Sequence, residues 1–456
     1  MRVSRTQEPF SDTDVSTKDE IRIGILGFGT VGQGTWKHLS ENAESLERIL
    51  GVRLEPVRAS VRDLSKERGV AIPADRLTTD SQSIVDDPSI DVVCELIGGV
   101  DEARELTMRA FANGKHVVTA NKALICEHGE ELFEAAEKAD VRYAFEASVA
   151  GGIPIIKVLR ESLVANEFPL IYGILNGTSN YILTRMEREG LDFEVVLADA
   201  RELGYVEADE SLDLDGIDAA HKAVILAYLA HGMWFPIEDM SIEGIRRISP
   251  EDLQAARELD CKIKLIAVIR RNFENNHVSA GVYPALVPMR EVIARTNGVY
   301  NGVSVTGTVA GTTVLTGRGA GQDPTASSVV GDVVDIVKSI TGAAPPPKLL
   351  HVTPNECAPA AAREVTGSFY LRLTVDDRPG QLARVAETLS DQEVSIATVS
   401  QALMEGRTAA SLILTTHETN EHSIGLAMEK LEKLPGVLEA PVLFRMFDPN
   451  GKDLIK

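Results

Sequence analysis

Short apolar runs alternate with amphipathic stretches through the first third of the chain. The run Ile21–Leu26 is rich in β-branched residues, and apolar residues then recur at helical spacing from Trp36 to Leu50. Further strand-like runs, separated by helical patterns, cover residues 54–61, 91–96, 116–119 and 143–146. Strands and helices that alternate at this spacing are typical of a parallel α/β sheet. We therefore predict a doubly wound sheet at the start of the chain.

A glycine-rich turn separates the first strand from the first helix, and a GxGxxG sequence placed there indicates dinucleotide binding. Gly27 would allow the tight turn, Gly29 the close approach of a pyrophosphate, and Gly32 the packing of helix on strand. A strand-to-helix turn with no ligand is the alternative. We predict an NAD(P)-binding Rossmann domain over residues 21–153, with these cofactor-binding residues in the turn: Gly27, Phe28, Gly29, Thr30, Val31 and Gly32.

Three further residues of this domain are expected at the edge of the sheet where ligands bind. Ligands of open α/β sheets bind beyond the carboxyl ends of the strands, where Gly98, Gly99 and Lys122 would lie. We expect Gly98 and Lys122 to contact the cofactor, with a solvated lysine as the alternative for Lys122.

The residues after the second strand bear on the choice of cofactor. An acidic residue there favours the ribose hydroxyl of NAD, whereas an arginine favours the 2′-phosphate of NADP. The chain has both, in Arg62 and Asp63, and Lys66 and Arg68 follow. The basic residues favour NADP with Arg62 as a ligand, and NAD is the alternative.

After residue 150 the pattern changes to a mixed sheet with helices. A strand-like run at 170–176 leads into a helix that opens at Gly177–Asn180, and residues 261–270 and 278–283 predict further strands. The loop Gly317–Gly321 then precedes a helix, which either returns to the nucleotide domain to cover the cofactor or only crosses between domains. We predict an α+β catalytic and dimerisation domain over residues 154–320 and the returning helix over 321–342.

An acidic segment inside this domain carries the candidate chemistry. Residues 204–222 carry six carboxylates, and an apolar helix that contains Lys222 opens at their end. Asp218 and Lys222 are four residues apart, so they would share one helix face. A lysine beside acids in a partly dry site is a candidate proton handler. An ordinary ion pair that decorates a capped helix is the alternative.

The last quarter of the chain reads as a separable module. Residues 343–364 are rich in proline and alanine and predict a linker. Strand and helix patterns over residues 365–446 then follow the order βαββαβ, which is a ferredoxin-like module. Its first helix follows a turn that contains Asp377 and Gly380.

Composition narrows the class of protein. The chain has 456 residues and a net charge of −22, which argues against nucleic acid and anionic membranes as partners. The apolar runs are too short for a membrane span, and residues 1–20 predict a disordered tail. Four scattered cysteines favour reduced thiols in a cytoplasm.

Five motifs, taken together, resemble homoserine dehydrogenase. Their order and spacing match over about residues 21–340, and they are Gly27–Gly32, Ala120–Lys122, Asn176–Asn180, Gly204–Lys222 and Gly319–Gly321. One departure is Glu210, where the family usually carries a proline, so the stiffness of this loop differs. The resemblance implies reversible interconversion of L-homoserine and L-aspartate 4-semialdehyde with NAD(P), in threonine and methionine biosynthesis.

The same resemblance implies roles for individual residues. Lys222 would be the acid/base group, oriented by Asp218, and Lys122 would contact both cofactor and substrate. The implied substrate-binding residues are Glu207, which would hold the amino group, with Tyr205, Thr178 and Asp213. Gly321 would contact the cofactor. Backbone carbonyls of a turn would bind a monovalent cation, Na⁺ or K⁺, at Glu146, Val149, Gly151 and Ile153.

The C-terminal module resembles the ACT domain, a small-molecule sensor of amino-acid metabolism. The resemblance implies an amino-acid effector near Asp377 and Gly380, for which we predict threonine; a purely structural dimerisation module is the alternative. It also implies a homodimer or homotetramer. Other Rossmann oxidoreductases with an ACT tail, such as prephenate or phosphoglycerate dehydrogenases, lack the Asp213–Lys222 signature. A catalytically silent amino-acid sensor is the alternative from a different class, and both lysines speak against it.

Overall fold

The computed structural model describes residues 18–206, 210–342, 357–404 and 408–450. These residues form two compact units. The first contains residues 18–147 and 321–342, and the second contains residues 148–320 and 357–450.

The first 147 residues supply a parallel sheet and the helices between its strands. The elements are β1 (Glu20–Leu26), α1 (Thr30–Glu41), α2 (Ala43–Leu50), β2 (Arg53–Ser60), β3 (Leu77–Thr78), α3 (Gln82–Val85), β4 (Val92–Glu95), α4 (Asp101–Ala112), β5 (His116–Thr119), α5 (Lys122–Lys138) and β6 (Tyr143–Ala144). All strand pairs in this sheet are parallel, in the order β3-β2-β1-β4-β5-β6. That order is the Rossmann arrangement, so the predicted doubly wound sheet is confirmed.

The middle of the chain continues with α6 (Ile155–Lys157), β7 (Leu170–Ile174), α7 (Gly177–Glu189), α8 (Phe193–Glu202), α9 (Ser211–Leu214), α10 (Ile217–His231), β8 (Ser241–Ile242), α11 (Pro250–Glu258), β9 (Cys261–Asn272), β10 (His277–Pro288), β11 (Tyr300–Gly307), β12 (Gly311–Arg318) and α12 (Gln322–Ile340). Single helical turns of 3-10 or π type lie at Ala74–Arg76, Glu146–Ser148, Val158–Ser162, Ile237–Asp239 and Ile293–Arg295.

The last part consists of β13 (Ala358–Pro359), β14 (Thr366–Asp376), α13 (Gln381–Ser390), β15 (Ile396–Leu403), β16 (Ala409–Thr416), β17 (Thr419–Asn420), α14 (Glu421–Glu432) and β18 (Val442–Met446). The six longer elements follow the order βαββαβ, as the sequence predicts. They enclose their own core, to which both helices contribute one apolar face.

Helix α12 packs within the first unit, although it follows the middle of the chain. Its apolar residues at helical spacing join the core of the parallel sheet, and these are Val329, Val333, Ile336 and Val337. The helix lies close to α1, because a Cβ added at Gly34 would be 2.9 Å from the Cβ of Ala326.

The C-terminal module continues the sheet of the middle domain. Strand β18 pairs with β14 on one side and with β10 on the other, where Ala285 opposes Arg445. The main path of the second unit is therefore one sheet, in the order β12-β11-β7-β9-β10-β18-β14-β16-β15. A module that reads as separable in sequence thus shares backbone hydrogen bonds with the catalytic domain.

Two of the element boundaries that differ from the sequence-based expectation have a local cause. The helical pattern from Trp36 to Leu50 is broken at Asn42, whose side-chain amide donates to the His38 carbonyl at 2.9 Å and so competes with the helix backbone. The last strand begins at Val442 rather than near residue 437, since Pro441 has no N–H to donate to a ladder.

Candidate active site

The glycine turn after β1 has the geometry that a dinucleotide needs. Gly27 has a φ of +91°, and a Cβ there would lie 2.6 Å from the Leu96 carbonyl oxygen. A Cβ at Gly32 would lie 2.1 Å from the Gly27 carbonyl oxygen. Gly29 is the N-cap of α1, and among the described residues no side chain caps this helix and no atom lies within 4 Å of a Cβ added there. The first N–H groups of α1 therefore suit a phosphate.

The neighbouring strand ends place Lys122 at the same edge of the sheet. Lys122 is the first residue of α5, directly after the N-cap Asn121. Asn121 accepts from the Leu124 N–H at 3.1 Å and donates to the Gly99 carbonyl at 2.6 Å. Gly98 and Gly99 both have positive φ, and no described atom would meet a Cβ at either one. These backbone positions leave room for a ligand.

A buried acid that sequence reasoning missed links the ends of two neighbouring strands at this edge of the sheet. Glu95, at the end of β4, is fully buried and accepts a hydrogen bond from the Thr119 hydroxyl at 2.6 Å and from the Ile97 N–H at 3.1 Å. Burial raises the pKa of the Glu95 carboxyl. Its signal in the sequence was a lone acid at the end of an apolar strand.

The loop after β2 exposes both Arg62 and Asp63. The Asp63 carboxylate accepts from the Ser65 hydroxyl at 2.7 Å and from the Ser65 N–H at 2.8 Å, and these bonds lower its pKa.

Within the second unit, Asp218 and Lys222 form a buried ion pair. The Lys222 Nζ donates to Asp218 Oδ2 at 2.7 Å and to the Leu175 carbonyl at 2.7 Å. Asp218 is 8% exposed and Lys222 is 9% exposed. The i,i+4 spacing on α10 brings the two side chains together, as predicted. The additional bond to Leu175 was not visible in the sequence.

Asn176 links this pair to the rest of the acidic segment. It is the N-cap of α7, where its Oδ1 accepts from the Ser179 N–H at 2.8 Å. Its Nδ2 donates to Asp213 Oδ1 at 2.7 Å and to Asp218 Oδ2 at 2.9 Å. One amide therefore holds two buried carboxylates beside Lys222. The sequence signal was its place before the helix start at Gly177.

The predicted substrate residues lie near the start of α7. The Thr178 hydroxyl donates to the Tyr205 carbonyl at 2.9 Å. The Tyr205 ring is 44% exposed and meets the Tyr181 ring edge-on, with a centroid distance of 4.8 Å. Asp213 is buried against Asn176. Glu207 lies outside the described residues.

The turn predicted to bind a monovalent cation is tightly constrained. Gly151 has a φ of +51°, and a Cβ there would be 2.4 Å from the Gly319 carbonyl oxygen. Val149 and Ile153 are buried, and the Ile153 N–H donates to the Ala150 carbonyl at 3.0 Å. Glu146 belongs to the first unit, where its N–H donates to the Asp332 carboxylate at 2.7 Å. The cation remains a prediction.

The predicted effector residues lie together at the start of α13. Gly380 is the N-cap of this helix, with a φ of +89°, and Asp377 is exposed three residues earlier. The Asp377 N–H donates to the Thr408 carbonyl at 3.2 Å.

Of the helices in the described ranges, none combines the length and the apolar composition that a membrane span requires. No group of three or more His, Cys, Asp or Glu side chains there is arranged to hold a metal ion.

Family models match most of the chain. The model for homoserine dehydrogenase matches residues 154–334, the model for the homoserine dehydrogenase NAD-binding domain matches residues 27–146, and the ACT domain model matches residues 369–436.

Individual proteins are similar over most or nearly all of the chain. The homoserine dehydrogenase of Synechocystis sp. is 41% identical, covering 93% of this chain and 99% of the relative. That of Pseudomonas aeruginosa is 42% identical, covering 94% and 99%. A crystal structure of a homoserine dehydrogenase from Thiobacillus denitrificans has 43% identity and a TM-score of 0.87, covering 94% of this chain and 98% of that one. A hyperthermophilic archaeal homoserine dehydrogenase in complex with NADPH has 27% identity and a TM-score of 0.59, covering 70% and 97%.

Proposed function

This chain belongs to the homoserine dehydrogenase family of NAD(P)-dependent oxidoreductases, and from that premise we propose how its residues interconvert L-homoserine and L-aspartate 4-semialdehyde. The observation that supports the proposal most is the buried Asp218–Lys222 pair, which Asn176 and the Leu175 carbonyl hold in place. The cofactor supplies or accepts the hydride. The protein must orient the substrate carbon and move one proton.

Lys222 is the proposed acid/base group. An ammonium has three hydrogens, and two of them are directed at Asp218 and the Leu175 carbonyl. No third acceptor for Lys222 lies among the residues that the structure describes, so one hydrogen remains for the substrate oxygen. In the reducing direction this hydrogen protonates the alkoxide; in the oxidising direction the neutral amine accepts the hydroxyl proton.

Lys122 has a proposed combined role toward cofactor and substrate. Its place at the first residue of α5, at the carboxyl edge of the parallel sheet, supports the contact with a cofactor. The proposed substrate-binding residues are Thr178, Tyr205, Asp213 and Glu207, with Glu207 on the amino group.

NADP is the proposed preferred cofactor, with Arg62 as a ligand of its 2′-phosphate. The exposed Arg62 and the engaged Asp63 support this choice, and one relative binds NADPH. Arg62→Ala should raise the KM for NADP about tenfold, since a charge-assisted bond is lost, and leave the KM for NAD unchanged. Arg53→Ala, at the opposite end of β2, is the control. Equal effects on both cofactors would contradict the proposal.

Threonine is the proposed feedback effector, bound near Asp377 and Gly380, which would place the reaction in threonine and methionine biosynthesis. Because β18 pairs with β10, truncation of the module would remove a strand that is hydrogen-bonded to the sheet of the catalytic domain. Point variants are therefore the better test. Asp377→Ala should abolish inhibition by millimolar threonine, while Asp391→Ala, another exposed acid next to α13, should not. Wild-type enzyme insensitive to threonine would refute the effector.

Three further proposals complete the assignment. Carbonyls of the turn at residues 149–153 bind Na⁺ or K⁺, which replacement of both ions by tetramethylammonium in the assay would test. The chain forms a homodimer or homotetramer, which sedimentation would measure. It works in a reducing compartment such as the cytoplasm, in keeping with the thiols of Cys94 and Cys261.

The reaction itself is tested by product identification. L-Homoserine incubated with the protein and either cofactor should yield an aldehyde that trapping reagents identify as L-aspartate 4-semialdehyde, in amounts equal to the reduced cofactor formed. No product with either cofactor would favour a catalytically silent sensor.

A further inference from the structure

A second lysine of the catalytic domain, Lys264 on β9, is buried and forms no ion pair with a carboxylate of the described residues. Its side chain is 1% exposed. Its Nζ donates to Asn180 Oδ1 at 2.9 Å, to the Thr296 carbonyl at 2.8 Å and to Asn297 Oδ1 at 3.3 Å. Burial lowers the pKa of this amine to about 7. Burying an amine costs free energy that an apolar side chain in the same place would not cost. The presence of a lysine here therefore points to a role for its hydrogen bonds.

The first of these partners, Asn180, is itself buried and fastens a loop. Its Nδ2 lies within hydrogen-bond distance of three carbonyls, those of Thr296 at 3.2 Å, Gly298 at 3.0 Å and Tyr300 at 3.0 Å. The bond from Lys264 to Asn180 Oδ1 sets which side of the amide is directed at these carbonyls. Lys264 and Asn180 therefore hold residues 296–300 against the first turn of α7.

The residue after this segment, Asn301, shares a hydrogen-bond acceptor with the proposed acid/base group. Asn301 is 1% exposed, and its Nδ2 donates to the Leu175 carbonyl at 3.0 Å. The same carbonyl accepts from Lys222 Nζ at 2.7 Å. Asn301 also packs closely against Gly319, because a Cβ added at Gly319 would be 2.0 Å from the Cγ of Asn301. The position of Asn301 thus bears directly on the oxygen that orients Lys222.

We propose that Lys264 is a positioning residue for Lys222, acting through Asn180 and the segment 296–301 on the Leu175 carbonyl. Lys264 does not touch the reacting atoms. Its effect is to keep one of the two acceptors of Lys222 in place, so that the third hydrogen of the ammonium points at the substrate. This inference rests on the proposed role of Lys222.

Two substitutions separate hydrogen bonding from packing. Lys264→Met keeps the volume but removes every donor, whereas Lys264→Gln keeps an amide that can donate to the Thr296 carbonyl. We expect kcat for L-homoserine to fall about 10- to 100-fold in Lys264→Met, as for a displaced catalytic group, with KM for the cofactor unchanged. Lys264→Gln should recover part of kcat even though methionine is the better core residue. A methionine variant as active as the glutamine variant, or as wild type, would overturn the proposal.

The matched control is Lys262→Met. Lys262 lies two residues earlier on the same strand, but it pairs with Glu187 at 2.9 Å and does not contact Asn180. It should leave kcat within twofold of wild type. A loss in this variant equal to that in Lys264→Met would show that any lysine of this strand matters, which also overturns the proposal.

Asn301→Leu tests the same path, and it does so alone if the Lys264 variants fail to fold. We expect kcat to fall in Asn301→Leu. If Lys264→Met folds, we expect the double variant to lose no more than the worse single variant, because both act on one carbonyl. Losses that multiply, or a folded Asn301→Leu protein with wild-type kcat, would contradict the path.

A crystal structure of Lys264→Met, or of Asn301→Leu in its place, distinguishes this inference from the proposed function. We expect the 2.7 Å contact between Lys222 Nζ and the Leu175 carbonyl to be lost or lengthened. An inactive wild type with a displaced Lys222 in the variant would refute the function and keep the positioning role. An unchanged contact would refute the positioning role whatever the activity.

Discussion

The substitution Asp218→Asn tests the buried pair at the centre of the site. Asp218 Oδ2 accepts from both Lys222 Nζ and Asn176 Nδ2, at 2.7 and 2.9 Å. Asparagine keeps an acceptor oxygen but removes the charge, so the Lys222 ammonium would remain buried opposite a neutral amide. No large change of shape accompanies the substitution.

The magnitude follows from these two bonds. Removal of one partner of a buried pair costs about 3–5 kcal/mol. Because asparagine retains an acceptor, the smaller cost is that of two bonds whose acceptor loses its charge, roughly 1 kcal/mol each. We therefore expect the free energy of unfolding to fall by about 2–4 kcal/mol. We expect kcat to fall about 100-fold, the lower end of what a positioned proton-transfer group contributes.

Urea unfolding and initial rates with L-homoserine measure the two effects. The control is Asp199→Asn, because Asp199 pairs with Arg185 but its side chain is 45% exposed. A surface pair contributes at most about 1 kcal/mol. An Asp218→Asn protein with kcat within threefold of wild type, or as stable as the Asp199→Asn protein, would refute the reasoning.

Three further predictions concern the cofactor turn, the domain junction and pH. Gly29→Ala should fold normally, since no described atom meets the added methyl. It should raise the cofactor dissociation constant at least about tenfold, because the pyrophosphate approaches the backbone at this position. Fluorescence titration with the cofactor measures the constant, and an unchanged affinity would contradict the prediction. Asp252→Ala should lower the free energy of unfolding by about 3–5 kcal/mol, because this fully buried acid accepts from Arg372 at 2.7 and 3.0 Å; urea titration with Asp199→Ala as control decides. Burial lowers the pKa of His116 to about 4, below its unfolded value of about 6.5. The unfolded chain therefore binds a proton at this residue first, so the free energy of unfolding is unaffected above pH 6.5 and falls by about 3 kcal/mol as the pH is lowered to 4. His116→Gln should flatten that part of the stability–pH curve, and an unaltered slope would contradict the assignment.

Local patterns in the sequence predicted the parts of the fold that have local causes. The strand-turn-helix at Gly27–Gly32 carries its own glycine signature, and the i,i+4 spacing of Asp218 and Lys222 needs only a helix to bring them together. The alternating apolar residues of the βαββαβ module also suffice to order its elements.

Long-range pairing had no such signature. The sequence did not predict the hairpin of β11 and β12, or the pairing of β10 with β18, because strand partners far apart in the chain leave no local period. Lys262 and Lys264 read alike along β9, yet one pairs with a carboxylate and the other is buried. Asn176 stands out in the sequence only as part of the motif Asn176–Asn180, and Asn301 does not stand out at all. Their hydrogen bonds to the carboxylates and to the Leu175 carbonyl appear only in the folded chain.

The central claim, that Lys222 moves the proton, is tested most directly by initial rates of NADP and NAD reduction with L-homoserine for wild type and Lys222→Ala. The account predicts an active wild type and a variant slower by at least about 100-fold, with an unchanged circular dichroism spectrum. A folded Lys222→Ala protein as fast as wild type would contradict it and leave Lys122 as the next candidate.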